Sequence, residues 1–131
     1  MEVRMIVAGS RDFNDYKRLK EKVSEKISSY DTTKTPVRII SGTARGADQL
    51  GADFAKWEHY ELSEFPADWG LYGKSAGYRR NVEMAQFAVA NGNIGVLIAF
   101  WDGKSKGTKH MIDIAKRYAL DVEVVMYAHG E

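Results

Sequence analysis

The sequence has no cysteine, no marked excess of either charge and no long apolar run. Without thiols the chain has no disulfide, no thiolate nucleophile and no cysteine-based zinc site. Its 19 basic and 18 acidic residues nearly cancel, so no overall field draws it to nucleic acid or to an anionic membrane. The longest apolar stretch, Gly95–Trp101, is far shorter than the roughly 20 residues of a membrane-spanning helix. We therefore expect no membrane association and a cytoplasmic location.

The residues that are present have a globular composition, with 44% hydrophobic and 28% charged residues among 131. This length predicts a single domain over residues 1–131. Five short apolar or β-branched runs predict strands: Val3–Ala8, Val37–Ile40, Leu62–Phe65, Gly95–Trp101 and Val122–Tyr127. Four periodic segments predict helices: Asp15–Tyr30, Ala47–Tyr60 (with Trp57 on its apolar stripe), Gly77–Ala90 and Thr108–Ala119. The alternation predicts an α/β, Rossmann-like three-layer sandwich of about five mostly parallel strands with helices on both faces.

Small residues, hydroxyls and arginines follow the first four predicted strands. The segments read "AGSRDFND", "SGTARGADQLG", "FPADWGLYGKSAGYRRN" and "WDGKSKGT". Because ligands of open α/β sheets bind outside the carboxyl ends of the strands, these segments are the candidate site. In the first segment, the amides of Gly9 and Ser10 either face an anion at a helix start or form a tight turn, and Arg11 follows them.

The second segment is the richest in candidate binding groups. Gly42 and Gly46 flank Arg45, a pattern that favours close approach of the backbone and a guanidinium to a ligand. Asp48 falls in the first turn of the predicted helix. There it either complements the helix dipole or serves the ligand, by accepting a ribose hydroxyl or by orienting Arg45. The sequence leaves the structural and the functional interpretation of Asp48 open.

The third segment places Arg79 and Arg80 at a helix start, which the helix dipole makes unfavourable for cations. The pair therefore suggests an anion that both arginines share, although a solvated surface pair is the alternative. Trp69 and Trp101 lie beside polar loops, where an indole either stacks on a nucleobase or packs over the edge of the core.

The fourth segment resembles a phosphate-binding loop only in part. "GLYGKS" and "DGKS" fail as Walker A motifs, because the required first glycine is replaced by Asp68 and Ile98, and no G-x-G-x-x-G follows the first strand. What remains is a loop with Gly103 and Gly107, and Thr108 as the expected helix N-cap, whose free amides either bind a phosphate or merely form the turn.

Histidine gives no further chemistry. His59, His110 and His129 lack metal-ligand spacing, so no metal site is predicted; His110 is expected on a helix surface and His129 in the tail.

Four stretches together resemble the YspA-type family within the SLOG superfamily, over roughly Val3 to Val125. They are "VAGSRDFNDY", "SGTARGAD", "FPADWGLYGKSAGYRRNVEMA" and "IAFWDGKSKGTKHMID". The superfamily also contains proteins similar to SMF/DprA and the Lonely-guy (LOG) enzymes. The resemblance implies a Rossmann-like fold, a nucleotide-derived ligand at the strand ends, and a homodimer or higher homo-oligomer.

The LOG enzymes cleave the N-glycosidic bond of nucleoside monophosphates, and the resemblance to them is partial. Their R-K-x-x-M motif matches "RNVEM", with Arg80 on the arginine and Asn81 in place of the lysine. Their P-G-G-x-G-T-x-x-E loop aligns with "WDGKSKGTKHM", which is two residues longer and has Met111 in place of the catalytic glutamate. A thioether cannot act as a carboxylate, so hydrolysis would require Asp48 or Asp102 with Arg80.

Three functions follow as hypotheses. The first is binding of a nucleotide or nucleotide-derived ligand, such as a nucleoside monophosphate or an ADP-ribose-like compound, with a role as a sensor. The second is LOG-like hydrolysis. The third is DprA-like binding of single-stranded DNA, suggested by the S-G-x-A-x-G-x-D pattern but not favoured by the balanced charge. No cofactor other than the ligand is predicted. The candidate ligand-binding residues are Gly9, Ser10, Arg11, Ser41, Gly42, Arg45, Gly46, Asp48, Trp69, Arg79, Arg80, Asn81, Trp101, Asp102, Gly103, Lys104, Ser105, Gly107 and Thr108.

Overall fold

Strands and helices alternate along the chain, as the hydrophobic periodicity predicts. The computed structural model describes residues 1–128, so His129 lies outside the described residues. The strands are β1 (Val3–Gly9), β2 (Val37–Ser41), β3 (Glu61–Glu64), β4 (Ile94–Trp101) and β5 (Asp121–Met126). The α-helices are α1 (Tyr16–Ser28), α2 (Ala47–Trp57), α3 (Trp69–Tyr72), α4 (Ala76–Val89) and α5 (Lys106–Arg117). Two 3₁₀ turns, Gly73–Ser75 and Ala90–Gly92, flank α4.

The five strands form one parallel sheet in the order β3-β2-β1-β4-β5. The chain builds outward from β1 to β3 and then returns, so that β4 pairs with the other side of β1. This reversal opens a crevice between the carboxyl ends of β1 and β4, where ligands of such sheets bind. The predicted α/β class and Rossmann-like three-layer architecture are confirmed.

Side chains alternate along the central strands and divide the core into two layers. On one face, Val3, Met5 and Val7 of β1 pack with the apolar stripes of α1 and α2. On the other face, Ile6 and Ala8 pack with α4 and α5. Strands covered on both faces must be apolar at successive positions, which explains why the strand sequences show no polar alternation.

The sequence placed some local features wrongly. Thr108 is not the N-cap of α5; Ser105 is, because the helix starts at Lys106 and the Ser105 hydroxyl accepts the Thr108 N–H at 3.4 Å. Trp57 does not lie on the buried stripe of α2. It is 62% exposed and meets Tyr16 edge to face, with ring centroids 4.9 Å apart.

The short helix α3 is an addition to the predicted elements. The Asp68 carboxylate caps it by accepting the Leu71 N–H at 3.0 Å. It contacts α4, the next α-helix along the chain. Among the helices of residues 1–128, none has the length and apolar character needed to span a bilayer.

Candidate functional site

Three adjoining cavities open at the carboxyl edge of the sheet. The inner cavity, of about 210 Å³, is lined by Ala8, Gly9, Arg11, Ala44, Asp48, Trp69, Lys74, Gly77, Tyr78, Arg80, Asn81, Met84, Ser105, Gly107, Thr108 and Met111. The β2-side cavity, of about 410 Å³, is lined by Arg11, Gly42, Thr43, Ala44, Arg45, Pro66, Ala67, Trp69 and Arg80. The β4-side cavity, of about 380 Å³, is lined by Ser10, Arg11, Asp12, Arg45, Asp102, Ser105 and Gly107. Arg11 borders all three, so they are parts of one cleft.

Two glycines let the turn between β2 and α2 pass close to neighbouring groups. A Cβ atom on Gly46 would lie 2.6 Å from the Arg11 carbonyl oxygen, and its φ of +83° is rarely adopted by other residues. A Cβ atom on Gly42 would lie 2.8 Å from Asp48 Oδ2 and 2.7 Å from Arg80 Nη1. At position 46 the backbone conformation of the turn requires glycine. At position 42 glycine is required because the side chains of Asp48 and Arg80 occupy the space that a Cβ atom would take.

Asp48 is a buried carboxyl on the wall of the inner cavity, with 5% of its surface exposed. Its Oδ2 accepts the Ala44 N–H at 3.3 Å, and the Gly9 amide also donates to this carboxyl. Burial raises the pKa of Asp48 to about 6, against the opposing effects of the Arg80 charge, the two amides and the Arg11 charge. The side chain therefore both fixes the turn and presents an ionisable group to the cavity.

The other small polar residues at these strand ends hold the backbone rather than line the inner cavity. The Ser10 N–H donates to the Phe100 carbonyl at 3.0 Å, and the Ser41 hydroxyl donates to the Asp48 carbonyl at 2.8 Å. Gly9 does border the inner cavity. Of the two interpretations of Gly9 and Ser10, the structure fits the tight turn, because α1 begins only at Tyr16 and both amides have acceptors within the protein.

Arg80 lies between the inner and β2-side cavities. One guanidinium nitrogen, Nη1, donates to the Gly42 carbonyl oxygen, and Nε donates to Asn81 Oδ1 at 3.0 Å. Burial lowers the pKa of Arg80, while the Asp48 carboxylate acts to raise it. Because two protein acceptors hold this guanidinium, its remaining N–H groups are presented in a fixed orientation.

Arg79 turns away from the cleft, although it is the neighbour of Arg80 in α4. Its Nε donates to the Ser75 hydroxyl at 3.1 Å, and its guanidinium carbon lies 4.4 Å from the Tyr72 ring centroid. Both arginines border a fourth cavity, of about 200 Å³, so an anion shared by the two stays a prediction, but Arg79 borders none of the three parts of the cleft. Successive residues of an α-helix are rotated by about 100°, which separates them.

Three further cations border the cleft from different elements. Arg11, after β1, and Arg45, between β2 and α2, face the β2-side and β4-side cavities, and both are exposed. Lys74, in the turn before α4, borders the inner cavity. Sequence reasoning missed Lys74 because it was considered only as part of a failed Walker motif. Its position in the third strand-end segment, beside the arginines, was the available signal.

The loop between β4 and α5 is organised by its own side chains. Asp102 Oδ1 accepts the amides of Lys104 at 2.9 Å and Ser105 at 2.8 Å, and Ser105 in turn caps the helix. Asp102 itself faces the β4-side cavity and not the inner one. The amides of Lys106 and Gly107, in the first turn of α5, are not among those that the Asp102 and Ser105 side chains accept. Gly103 and Lys104 are exposed and border none of the three cavities.

Two aromatic residues border the cleft, and a third packs behind it against the loop between β4 and α5. Trp69, 52% exposed, borders the inner and β2-side cavities, with its ring 3.3 Å from where a Cβ on Gly77 would lie. Tyr78 adds a second exposed ring to the inner cavity, and the sequence did not single it out. Trp101 borders none of the three cavities: its indole N–H donates to the Ser105 carbonyl at 3.1 Å, which supports the loop.

Two α5 residues complete the inner wall. Met111, in the position of the LOG glutamate, is buried and lines the inner cavity. His110, which the sequence predicts on a helix surface, is only partly exposed. It is half-buried against Tyr78, with ring centroids 4.3 Å apart, and its Nδ1 lies 3.1 Å from Asn81 Nδ2. Among residues 1–128, no cluster of three or more His, Cys, Asp and Glu side chains is placed to hold a metal ion.

A family profile and a phage protein match this chain. The sequence profile of the YspA, cpYpsA-related SLOG family matches residues 3–72, from β1 through α3. The Gene 61 protein of Mycobacterium phage D29 is 30% identical over 127 residues, which are 91% of this chain and 93% of the phage protein. No solved structure matches the chain. The chain belongs to the YspA, cpYpsA-related SLOG family.

Proposed function

We propose that the cleft binds a nucleotide-derived ligand through its phosphate groups, with a nucleoside monophosphate or an ADP-ribose-like compound as the ligand class. One observation carries the proposal: Arg11, Arg45 and Arg80 reach one cleft from three different parts of the chain. Guanidinium groups bind phosphate oxygens by paired hydrogen bonds. Membership of the SLOG family, which is associated with nucleotide-related ligands, supports this assignment.

The inner cavity suits the nucleoside part of such a ligand. Its floor is apolar, formed by Ala8, Met84 and Met111, and the rings of Trp69 and Tyr78 stand at its rim. Cavities of this kind, apolar with a few polar groups, are typical of small-molecule sites. The Asp48 carboxyl on the same wall is an acceptor for a ribose hydroxyl.

The test is a thermal-shift panel with AMP, other nucleoside monophosphates, NAD, ADP-ribose and a short single-stranded DNA. A ligand at 100 times its dissociation constant adds about 2.7 kcal/mol, a shift of several degrees at this size. Arg80→Ala is expected to weaken binding by roughly 10- to 100-fold through loss of a charged donor. Arg79→Ala is the matched control, because its side chain leaves the same helix on the outer side. Equal losses in both variants, or no shift with any nucleotide, would contradict the proposal.

A second candidate function is hydrolysis of a nucleotide N-glycosidic bond, and Asp48 is the observation that favours it. Asp48 borders the same cavity as Arg80 and Thr108, and its raised pKa is a property of many catalytic carboxyls. Release of free base from whichever nucleotide binds, followed by chromatography, decides between binding and cleavage. Cleavage that survives Asp48→Asn would exclude Asp48 as the catalytic carboxylate.

Two finer expectations belong to this proposal. Self-association, implied by the SLOG resemblance, is measured by analytical ultracentrifugation with and without the nucleotide. Single-stranded DNA binding is the outcome if DNA alone shifts the melting temperature, and its affinity should then fall steeply with salt concentration.

A further inference from the structure

A chain of polar contacts runs from α5 through α4 to the cleft. His110 Nδ1 lies 3.1 Å from Asn81 Nδ2, and Asn81 Oδ1 accepts Arg80 Nε at 3.0 Å. Arg80 Nη1 then donates to the Gly42 carbonyl at the end of β2. The middle member, Asn81, is 5% exposed. Water therefore has little access to its amide, and loss of a protein partner would leave a buried polar atom without a hydrogen bond.

The chemistry of arginine fixes the direction of every bond in this chain. Arg80 Nε–H is a donor and never an acceptor, so the Asn81 atom that faces it must be the amide oxygen. The Asn81 NH₂ group therefore faces α5, where it lies 3.5 Å from the Gly107 carbonyl and 3.1 Å from His110. His110 Nδ1 must accept from that NH₂ group. The ring is consequently neutral, with its proton on Nε2.

We propose that His110 is a positioning residue of the cleft: as a neutral acceptor it holds the Asn81 amide, which in turn aims the Arg80 guanidinium. The effect on ligand binding rests on the function proposed above. The arrangement of the three side chains does not, because it exists in the free protein.

Protonation of His110 opposes this arrangement. A proton on Nδ1 would face the Asn81 NH₂ group, placing two donors against each other. A flip of the amide would relieve that contact but would turn NH₂ toward Arg80 Nε–H and the amide oxygen toward the Gly107 carbonyl. Neither orientation satisfies all the partners, so a charged His110 loosens Arg80.

The surroundings of His110 keep it neutral at physiological pH. Burial lowers its pKa, the Asp113 carboxylate acts to raise it, and Arg117 acts to lower it. Asp113 and Arg117 belong to α5 itself, while α4 presents the phenol ring of Tyr78 and the amide of Asn81. Asp48, whose pKa burial raises to about 6, also acts on Arg80, so the experiment must separate its effect from that of His110.

The test is ¹⁵N NMR of the free protein from pH 8 to pH 5, on the wild type, His110→Ala and His110→Asn. Asparagine places an amide oxygen near the position of Nδ1 and does not titrate, so it serves as the conservative variant. In the wild type we expect the Nε2–H tautomer at high pH and an Arg80 Nε–H signal that moves with the titration of His110. In His110→Ala, exchange of Arg80 Nε–H with water should accelerate by roughly three- to tenfold.

In His110→Asn, exchange of Arg80 Nε–H should remain slow, and the part of its pH dependence that follows His110 should vanish, leaving that of Asp48. A proton on Nδ1 at high pH, or equal exchange of Arg80 Nε–H in the wild type and His110→Ala, overturns the proposal even if nucleotides bind. If no nucleotide binds the wild type, the proposed function fails while these spectra still decide the positioning role. Where AMP or ADP-ribose binds, affinity should fall in His110→Ala and return in His110→Asn.

Discussion

Gly42 and Asp48 approach so closely that a methyl group on Gly42 would lie 2.8 Å from Asp48 Oδ2. The same methyl group would lie 2.7 Å from Arg80 Nη1. Gly42 is not among the residues with positive φ, so its backbone accepts alanine without strain. Residue 42 is therefore restricted to glycine by the side chains of Asp48 and Arg80, and not by the backbone conformation of the turn.

We expect Gly42→Ala to damage the site more than the fold. The added methyl group pushes apart the ends of two side chains, so the free energy of unfolding should fall by only about 1–2 kcal/mol. Binding of the nucleotide identified in the thermal-shift panel should fall by at least the amount lost in Arg80→Ala. Chemical denaturation and calorimetric titration measure the two effects. Gly70→Ala is the control, because Gly70 borders none of the three cavities and a Cβ atom there would lie no closer than 3.7 Å to Asp68 Oδ1. Unchanged binding in Gly42→Ala would contradict the prediction.

Asp48 predicts an unusual dependence of stability on pH. Its folded-state pKa of about 6 lies above the ordinary 3.8, so between these values the folded state holds more protons than the unfolded state. The contribution of Asp48 to stability is therefore present below about pH 4 and is lost as the pH rises through about 6. At pH 7 ionisation of the buried carboxyl lowers the free energy of unfolding by on the order of 3 kcal/mol. This is an upper bound, because the protein around a buried charge can rearrange to solvate it.

Asp48→Asn removes this titration, and its stability relative to the wild type should increase from pH 4 to pH 7. Urea denaturation at several pH values measures the difference, with Glu21→Gln on the exposed face of α1 as the control. A constant difference between wild type and Asp48→Asn across this range would show that the pKa is not raised.

Asp102 should behave as a residue that shapes its loop. The same atom, Asp102 Oδ1, accepts the amides of both Lys104 and Ser105. The side-chain oxygen of an asparagine can accept both hydrogen bonds as well. We therefore expect Asp102→Asn to keep both stability and nucleotide binding, and Asp102→Ala to lose about 1–2 kcal/mol of stability. Thermal denaturation and the binding assay check this. Loss of base release in Asp102→Asn with an intact fold would instead make Asp102 a catalytic residue.

The sequence predicted the sheet, its two covered faces and the edge at which the cleft lies, because strand periodicity and strand-end composition are local signals. It also selected Arg80 and Asp48, which β2, α2 and α4 bring to the inner cavity. It could not separate Arg79 from Arg80, since their directions depend on the rotation of α4 against the sheet. The role of His110 depends on contact between α4 and α5, which are far apart in sequence and give no local pattern.

Trp69 gives the most direct optical test of the cleft. The chain has three tryptophans, and Trp69 borders both the inner and β2-side cavities, whereas Trp57 lies against Tyr16 and Trp101 supports the β4–α5 loop. A base bound beside Trp69 should therefore change the intrinsic fluorescence, and Trp69→Phe should abolish most of that change. Stacking of a base on an aromatic ring is worth about 1–3 kcal/mol, so Trp69→Ala should weaken binding by roughly 5- to 150-fold.

Phenylalanine retains an aromatic face, so affinity in Trp69→Phe should fall less than in Trp69→Ala even though the optical signal is lost. Trp57→Phe is the matched control: this indole is 62% exposed but lies on α2 outside the three cavities, so both signal and affinity should persist. The comparison separates two places for the base. If the fluorescence change survives Trp69→Phe and the affinity is unaltered in Trp69→Ala, the base does not lie at this rim. The β4-side cavity, which Arg11 and Arg45 border without an aromatic ring, would then be its position.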